Sequence, residues 1–395
     1  MRTQTTDEDT IQGRTSAPAG VSLENEFRDI ALRIVVQRND LLLPNLMDML
    51  TVRKSINLSP LYQRRGRWEL KKKSRLIESF LVNIPVPPVF LYETEFAIYE
   101  VMDGQQRLST IHEFFNNEFA LQGLEMLPKL NGLRLSELPP VIRAGLERRS
   151  LSAIVLLKES TPDEERSFIL RQAVFERLNT GGVQLNAQEV RNCLQASPFN
   201  DLLHELASIP RFTAIWGIPP HEAREKAPPS GPLAKNKHYM QMGDNELVLR
   251  FFALLEKEHI KGGMKATLDK CMIRKKKATP AQLGQFRSAF TDSLNLCYEV
   301  YGPTTFRLPP KRNQKVGALS KSLYDAVMVA MYRNLHQSAA IRARSSQIVK
   351  ATLDALNPAS EFYAVVVGRP NTRKATIDRS SHMAQIIQSV LSSAD

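Results

Sequence analysis

Two rhythms of hydrophobic and polar positions divide the chain. Short apolar runs rich in Val, Ile, Phe and Tyr, separated by acids and turn residues, predict strands over Pro87 to Tyr92, Ile98 to Met102 and Leu151 to Leu157. Between them the apolar spacing lengthens to three and four. Leu76, Ile77, Phe80 and Leu81 share one face of a helix predicted over Lys71 to Val82, and Leu108, Ile111 and Phe115 mark another. Pro162 to Leu178 opens with Asp163, Glu164 and Glu165, acids that suit the positive end of a helix. From Ser197 onward the pattern is mostly helical, with helices predicted over Asn245 to Glu258, Pro280 to Val300, Ser320 to His336 and Ala339 to Leu356. Pro219 to Lys237 interrupts it with five prolines and several charges, and reads as a surface loop.

These elements predict an α+β fold in two domains: a small mixed sheet with helices over residues 22–196 and a helical domain over 197–395. Residues 1–21 read as a disordered tail, polar and rich in Thr, Asp and Glu. A chain of 395 residues, 43% hydrophobic and 24% charged, suits two domains and a core that needs no staples. No apolar run is long enough to cross a bilayer, and the N-terminus lacks the apolar middle of a signal peptide. Cys193, Cys271 and Cys297 are widely spaced and form neither a metal-ligand pattern nor a disulfide framework. The expectation is a cytoplasmic protein without a membrane partner.

Charge changes this picture. The net charge is +12, and Arg53 to Arg75 holds nine basic residues against the single acid Glu69. Arg274, Lys275, Lys276 and Lys277 form a second, shorter run. Either cluster suits a polyanion, a nucleoside triphosphate or DNA, and either can equally be a solvated face.

The chemistry concentrates where the predicted strand Ile98 to Met102 runs through Asp103-Gly104-Gln105-Gln106-Arg107 into a helix. A strand that turns straight into a helix aims the free N–H groups of the first turn, and the positive end of the helix dipole, at whatever lies above the turn. Gly104 lets a ligand oxygen approach the backbone. Arg107 can fork two phosphate oxygens. Asp103 can hold a metal ion or accept a proton, and Gln105 and Gln106 can orient water. Positioning and charge of this kind dominate phosphoryl transfer, for which Mg2+ is the expected ion. A plainer alternative makes Asp103 the helix N-cap with Gln106 completing a capping box.

Two further segments join this one. Leu58-Ser59-Pro60-Leu61-Tyr62-Gln63-Arg64-Arg65-Gly66-Arg67-Trp68 lies upstream, and Phe175-Glu176-Arg177-Leu178-Asn179-Thr180-Gly181-Gly182 downstream. Tyr62 can stack a base while Arg64 grips phosphate, although Tyr62 and Trp68 also suit a core. Arg177 can reach the same phosphates or merely complement a helix dipole. Asn186 reads as an N-cap with Glu189 in the box position, and His112 as a packed histidine.

Taken together and in order, with Ile84-Pro85-Val86-Pro87 between the first two, these strings resemble the N-terminal domain of GmrSD-type restriction proteins, a family of ParB/sulfiredoxin-like fold. The resemblance spans Ile56 to Leu194, and Asp244-Asn245-Glu246-Leu247-Val248-Leu249-Arg250 is also similar to the family. It implies a nucleotide-binding, NTP-hydrolysing module of an anti-phage or modification-dependent restriction system, with Asp103, Gln105, Gln106 and Arg107 as catalytic residues and Asp103 on the metal. Tyr62, Gln63, Arg64, Gly104, Arg177 and Asn179 would bind the nucleotide. It also implies DNA and a partner nuclease subunit. The His-Asn-His nuclease half carried by many members has no counterpart among the seven scattered histidines, so this chain alone is not expected to cut DNA. The alternatives are a non-hydrolytic ParB-like DNA-binding or nucleotide-switch module and, after it, a DNA nickase.

Overall fold

The computed structural model describes residues 35–58, 68–157, 171–174, 177, 186–194, 197–220, 231–310, 314–368 and 372–393. The expected tail over 1–21 and most of the helix expected over Pro162 to Leu178 lie outside the described residues.

The first half reads β1 (Val36–Leu42), α1 (Leu43–Thr51), β2 (Ile56–Asn57), α2 (Leu70–Leu81), β3 (Val89–Glu95), β4 (Ile98–Asp103), α3 (Gln105–Phe115), α4 (Pro140–Glu147), β5 (Ser150–Leu156) and α5 (Ala187–Leu194). The five strands form one mixed sheet in the order β1-β5-β3-β4-β2. β1 runs antiparallel to β5 and β3 antiparallel to β4, whereas β3–β5 and β2–β4 are parallel. Val89, Leu91, Val101, Leu151, Ala153 and Val155 turn to one face, where Leu46, Ile77, Leu108, Ile111 and Phe114 of α1–α3 cover them. The period of two in the strands meets the period of 3.6 in the helices there. Phe114, rather than the expected Phe115, is the fully buried ring.

The opposite face is smaller. Tyr92, Met102 and Leu156 pack there with Val190 of α5, beside Phe90, Val174 and Ile273. The last of these belongs to the second half, so the sheet is covered on this side by helices from both parts of the chain.

That second half is helical: α6 (Pro198–Ala207), α7 (Pro210–Trp216), α8 (Gly231–Lys235), α9 (Lys237–Met240), α10 (Gly243–Leu255), α11 (Met264–Lys275), α12 (Pro280–Tyr301), α13 (Lys321–Arg333), α14 (Ser338–Ala343), α15 (Ser345–Ala355), α16 (Glu361–Tyr363) and α17 (Arg373–Ser392). The fold is therefore α+β, as the periodicity predicts. The loop expected over Pro219 to Lys237 contains helix α8 at Gly231–Lys235; residues 221–230 of it lie outside the described residues. The single helix expected over Ala339 to Leu356 is broken at Arg344. Its Nη1 donates to the carbonyls of Val390 (2.7 Å), Leu391 (2.9 Å) and Ser393 (2.9 Å), the open end of α17. A helix end needs such donors, and no local spacing announces them. α10 and α13 form the centre and are joined by a buried ion pair, Arg250 Nε donating to Asp325 Oδ1 at 2.9 Å.

Candidate functional site

β4 ends at Asp103, paired with Phe90 of β3. The chain then reverses at Gly104, whose φ of +96° lies in the left-handed region, and α3 begins at once. A side chain at Gly104 would also have nowhere to go: a Cβ would stand 2.4 Å from Val89 Cγ1 and 2.9 Å from Arg107 Nη2. Glycine is required by backbone and packing alike. The room it leaves is filled by valine and guanidinium, so the open approach for a ligand oxygen expected from sequence is not why glycine stands here.

Gly104 is itself the N-cap residue of α3, and no side chain caps the helix. The capping box of Asp103 and Gln106 is thus not formed. Asp103 instead accepts a hydrogen bond from Arg107 Nη2 at 2.8 Å, one turn along. Gln106 Oε1 accepts from the Trp68 N–H at 3.2 Å. Arg107 Nη2 also donates to the Pro88 carbonyl at 3.1 Å, and its buried Nε has no partner among the described residues. The carboxylate keeps 33% exposure and the guanidinium side chain 16%. Solvent, or a ligand, reaches Asp103 first. Gln105 is buried and Gln106 half-buried.

The structure thus brings Asp103, Gly104, Gln105, Gln106 and Arg107 into one turn. Tyr62, Gln63, Arg64 and Asn179 lie outside the described residues. Trp68, which follows the first of these motifs, is fastened to Gln106 and half-buried against the N-terminal core. Arg177 is exposed. Glu189 is a cap: its Oε2 accepts the Asn186 N–H at 2.8 Å, while Asn186 Oδ1 accepts from the N–H groups of Gln188 (2.8 Å) and Glu189 (3.1 Å). His112 is half-exposed against Asn116, not packed on the apolar face.

The basic segments divide once their partners are known. Lys73 pairs with Glu113 and Arg75 with Glu125. Lys72 lies over the Trp68 ring, 4.6 Å from its centre, and Lys71 is exposed. In the second run, Arg274 and Lys275 share Glu256 at 2.8 and 2.7 Å, and Lys275 also lies 4.5 Å over the Phe286 ring. Arg274 and Lys275 are thus committed to the protein's own packing.

A polar cluster on the second face of the sheet escaped sequence reading. Glu100 of β4 meets Arg171 at 3.2 Å, and the Arg171 guanidinium lies 4.6 Å over the Tyr92 ring. Burial pushes the Glu100 carboxyl up, against the pull of Arg171 and Lys276. The available clue was one acid inside the apolar run Ile98 to Met102. Glu78 of α2 is a second case: this buried carboxylate accepts the N–H groups of Met126 (2.7 Å) and Leu127 (2.8 Å) and pins their loop. Among the described residues no group of three or more His, Cys, Asp or Glu side chains is placed to hold a metal ion, and no helix is long and apolar enough to cross a membrane.

No curated protein and no solved structure matches the chain. A family model does match, that of the GmrSD restriction endonuclease N-terminal domain, over residues 46–195. The match takes in β2 to α5, the site turn and the motifs on either side of it. Over residues 46–195 this chain is therefore similar to the GmrSD-type restriction N-terminal domain family, a resemblance that points to a restriction-system module.

Proposed function

We propose that this module binds a nucleoside triphosphate at the Asp103–Arg107 turn and hydrolyses it with Mg2+. The observation that carries the reading is an ion pair set at the uncapped start of a helix that leaves a strand through a left-handed glycine. First-turn N–H groups and the helix dipole favour phosphate there. Asp103, the more exposed partner, would take Mg2+ directly or through water, with the remaining ligands supplied by phosphate oxygens and water. Arg107 would stabilise charge on the transferred phosphoryl group, and Gln105 and Gln106 would place the attacking water. Tyr62, Gln63, Arg64, Arg177 and Asn179 would complete the nucleotide site by the family resemblance. DNA and a partner nuclease subunit belong to the same reading.

One feature favours a switch as the second reading. Asp103 and Arg107 occupy each other, so a nucleotide must compete with their pairing, and that competition alone can report its presence without hydrolysis. Phosphate release measured on the purified chain with ATP, GTP, CTP and UTP, with and without DNA, separates the two. Turnover of any nucleotide supports hydrolysis. Saturable binding without release supports the switch, and absence of both binding and release overturns the nucleotide site.

A further inference from the structure

We propose that two copies of this chain join along β1, antiparallel, about a twofold axis at Asn39, making one continuous sheet through both copies. β1 is an edge of the sheet, hydrogen-bonded on one side to β5. The Leu157 N–H donates to the Val35 carbonyl and the Leu43 N–H to the Arg149 carbonyl, so the odd-numbered residues of the strand point their backbone groups at β5. In an antiparallel ladder the residues between them point the other way. Val36, Arg38, Asp40 and Leu42 therefore present N–H and C=O groups outward, and among the described residues nothing pairs with that edge. Such an edge is a template for another strand.

The side chains of those same four residues share the face of the sheet turned away from α1–α4, opposite Leu156, Ile154, Ser152 and Ser150 of β5. Val36 is 47% exposed and Leu42 44%, large apolar side chains that the monomer leaves uncovered. Arg38 is exposed and has no ion-pair partner among the described residues; Asp40 accepts a hydrogen bond from Ser152 Oγ.

Charge selects both the occupant and the register. The strand read against itself about Asn39 sets Arg38 opposite Asp40, and Val36 opposite Leu42, and by symmetry each pair occurs twice. Every one of these pairs joins two outward-pointing residues, so each exchanges both of its backbone hydrogen bonds. A twofold at Arg38 would set that arginine against its own copy. A twofold at Asp40 would oppose two carboxylates, and one at Gln37 or Leu41 makes no Arg38–Asp40 pair. Opposite charges directly across a ladder stabilise it, and like charges destabilise it. The strand is thus complementary to a second copy of itself, with a charged centre and apolar ends.

Sedimentation velocity on the full chain over a concentration series, with charge swaps, tests this. The parent should dimerise. Arg38→Asp alone, or Asp40→Arg alone, puts like charges at both cross-pairs and should weaken the dimer by about tenfold or more. The double variant Arg38→Asp/Asp40→Arg restores both pairs and should restore the dimer. Unchanged melting temperatures would confirm that each variant is folded. A second measurement fixes the axis: Asn39 faces its own copy as a non-hydrogen-bonded pair with Cα atoms roughly 4.5 Å apart, so Asn39→Cys should give a covalent dimer on mild oxidation and Gln37→Cys should not. A monomer at all concentrations, as when residues preceding β1 cover the edge, would overturn the proposal. So would a dimer indifferent to the single swaps, a double variant that fails to recover, or crosslinking through Cys at 37 as readily as at 39.

Discussion

Arg107 holds Asp103 at 2.8 Å across the first turn of α3, and the same Nη2 reaches back to the Pro88 carbonyl. The guanidinium therefore fastens β3, β4 and α3 together at the turn proposed to carry the chemistry. An arginine in that position has two separable effects, one on the fold and one on phosphate.

Arg107→Lys and Arg107→Ala should separate them. Lysine keeps the charge and a donor for Asp103 but lacks the planar guanidinium that offers paired N–H groups to a phosphate. Its expected outcome is a loss of NTP turnover of about 100-fold with little change in melting temperature, since removal of one charge-stabilising donor costs that much. Alanine should lose the same turnover and, in addition, about 1.5–3 kcal/mol of stability through the charge-assisted hydrogen bonds. Phosphate release and urea titration measure the two effects. Parent-like turnover in the lysine variant would remove Arg107 from the chemistry.

What sequence showed of this site was its order along the chain. The strand, the glycine and the helix are legible because Ile98 to Met102 and Leu108 to Ile111 obey two different periods. The Asp103–Arg107 pairing is not, because Asp103 and Gln106 fit a capping box equally well and only the left-handed Gly104 excludes it. β1 escaped for another reason. As an edge strand exposed along most of its length it has no alternation of apolar and polar residues to detect. Arg344, Glu78 and Arg171 act on backbone or side chains far away in sequence, and no local rule reaches such partners.

Glu100 should leave a signature in the pH dependence of stability. Its carboxyl pKa is raised in the folded protein because burial outweighs Arg171 and Lys276. The folded state then keeps a proton that the unfolded chain has released, so Glu100 contributes stability below the ordinary carboxylate pKa and loses it as pH rises through the raised value. Glu100→Gln carries no such proton. Urea unfolding from pH 4 to 7 should show the parent losing stability relative to Glu100→Gln as pH increases. A gain over that range would mean that the pairing with Arg171 dominates.

The lysines of α2 predict two unlike outcomes. Lys71 is exposed and Lys72 lies over Trp68, both available to a phosphate backbone, whereas Lys73 is spent on Glu113. If DNA runs along this helix, Lys71→Gln with Lys72→Gln should reduce the salt slope of DNA binding by roughly 0.9 in log–log units for each phosphate that is no longer neutralised. Lys73→Gln should leave that slope alone and lower thermal stability instead. Fluorescence anisotropy across a salt series distinguishes them, and equal slopes for all three would make these lysines a solvated face.

The segment that matches the family model is joined to the helices after it through its last helix. α5 closes the matched segment, yet its Arg191, 1% exposed, donates through Nε to Asp269 of α11 at 2.6 Å and through Nη2 to the Lys265 carbonyl at 3.3 Å. Asn186 at the same end donates to the Gln241 carbonyl at 2.8 Å. A charge pair with so little water around it gains from its partner mainly by not being left alone. Arg191→Leu takes the guanidinium away from the Asp269 carboxylate and should cost about 3–5 kcal/mol. The double variant Arg191→Leu/Asp269→Leu removes both charges together and should recover much of that loss, a coupling that a double-mutant cycle reads directly. The parent should unfold in a single transition followed by both tryptophan fluorescence and circular dichroism, because Trp68 reports on the first half and Trp216 on the second. In Arg191→Leu the two probes should separate, the sheet and the helical half melting independently once the junction through α5 is weakened. Coincident transitions in that variant, with additive losses in the double, would place the coupling between the halves elsewhere along their boundary, at the packing of Tyr92, Met102 and Ile273.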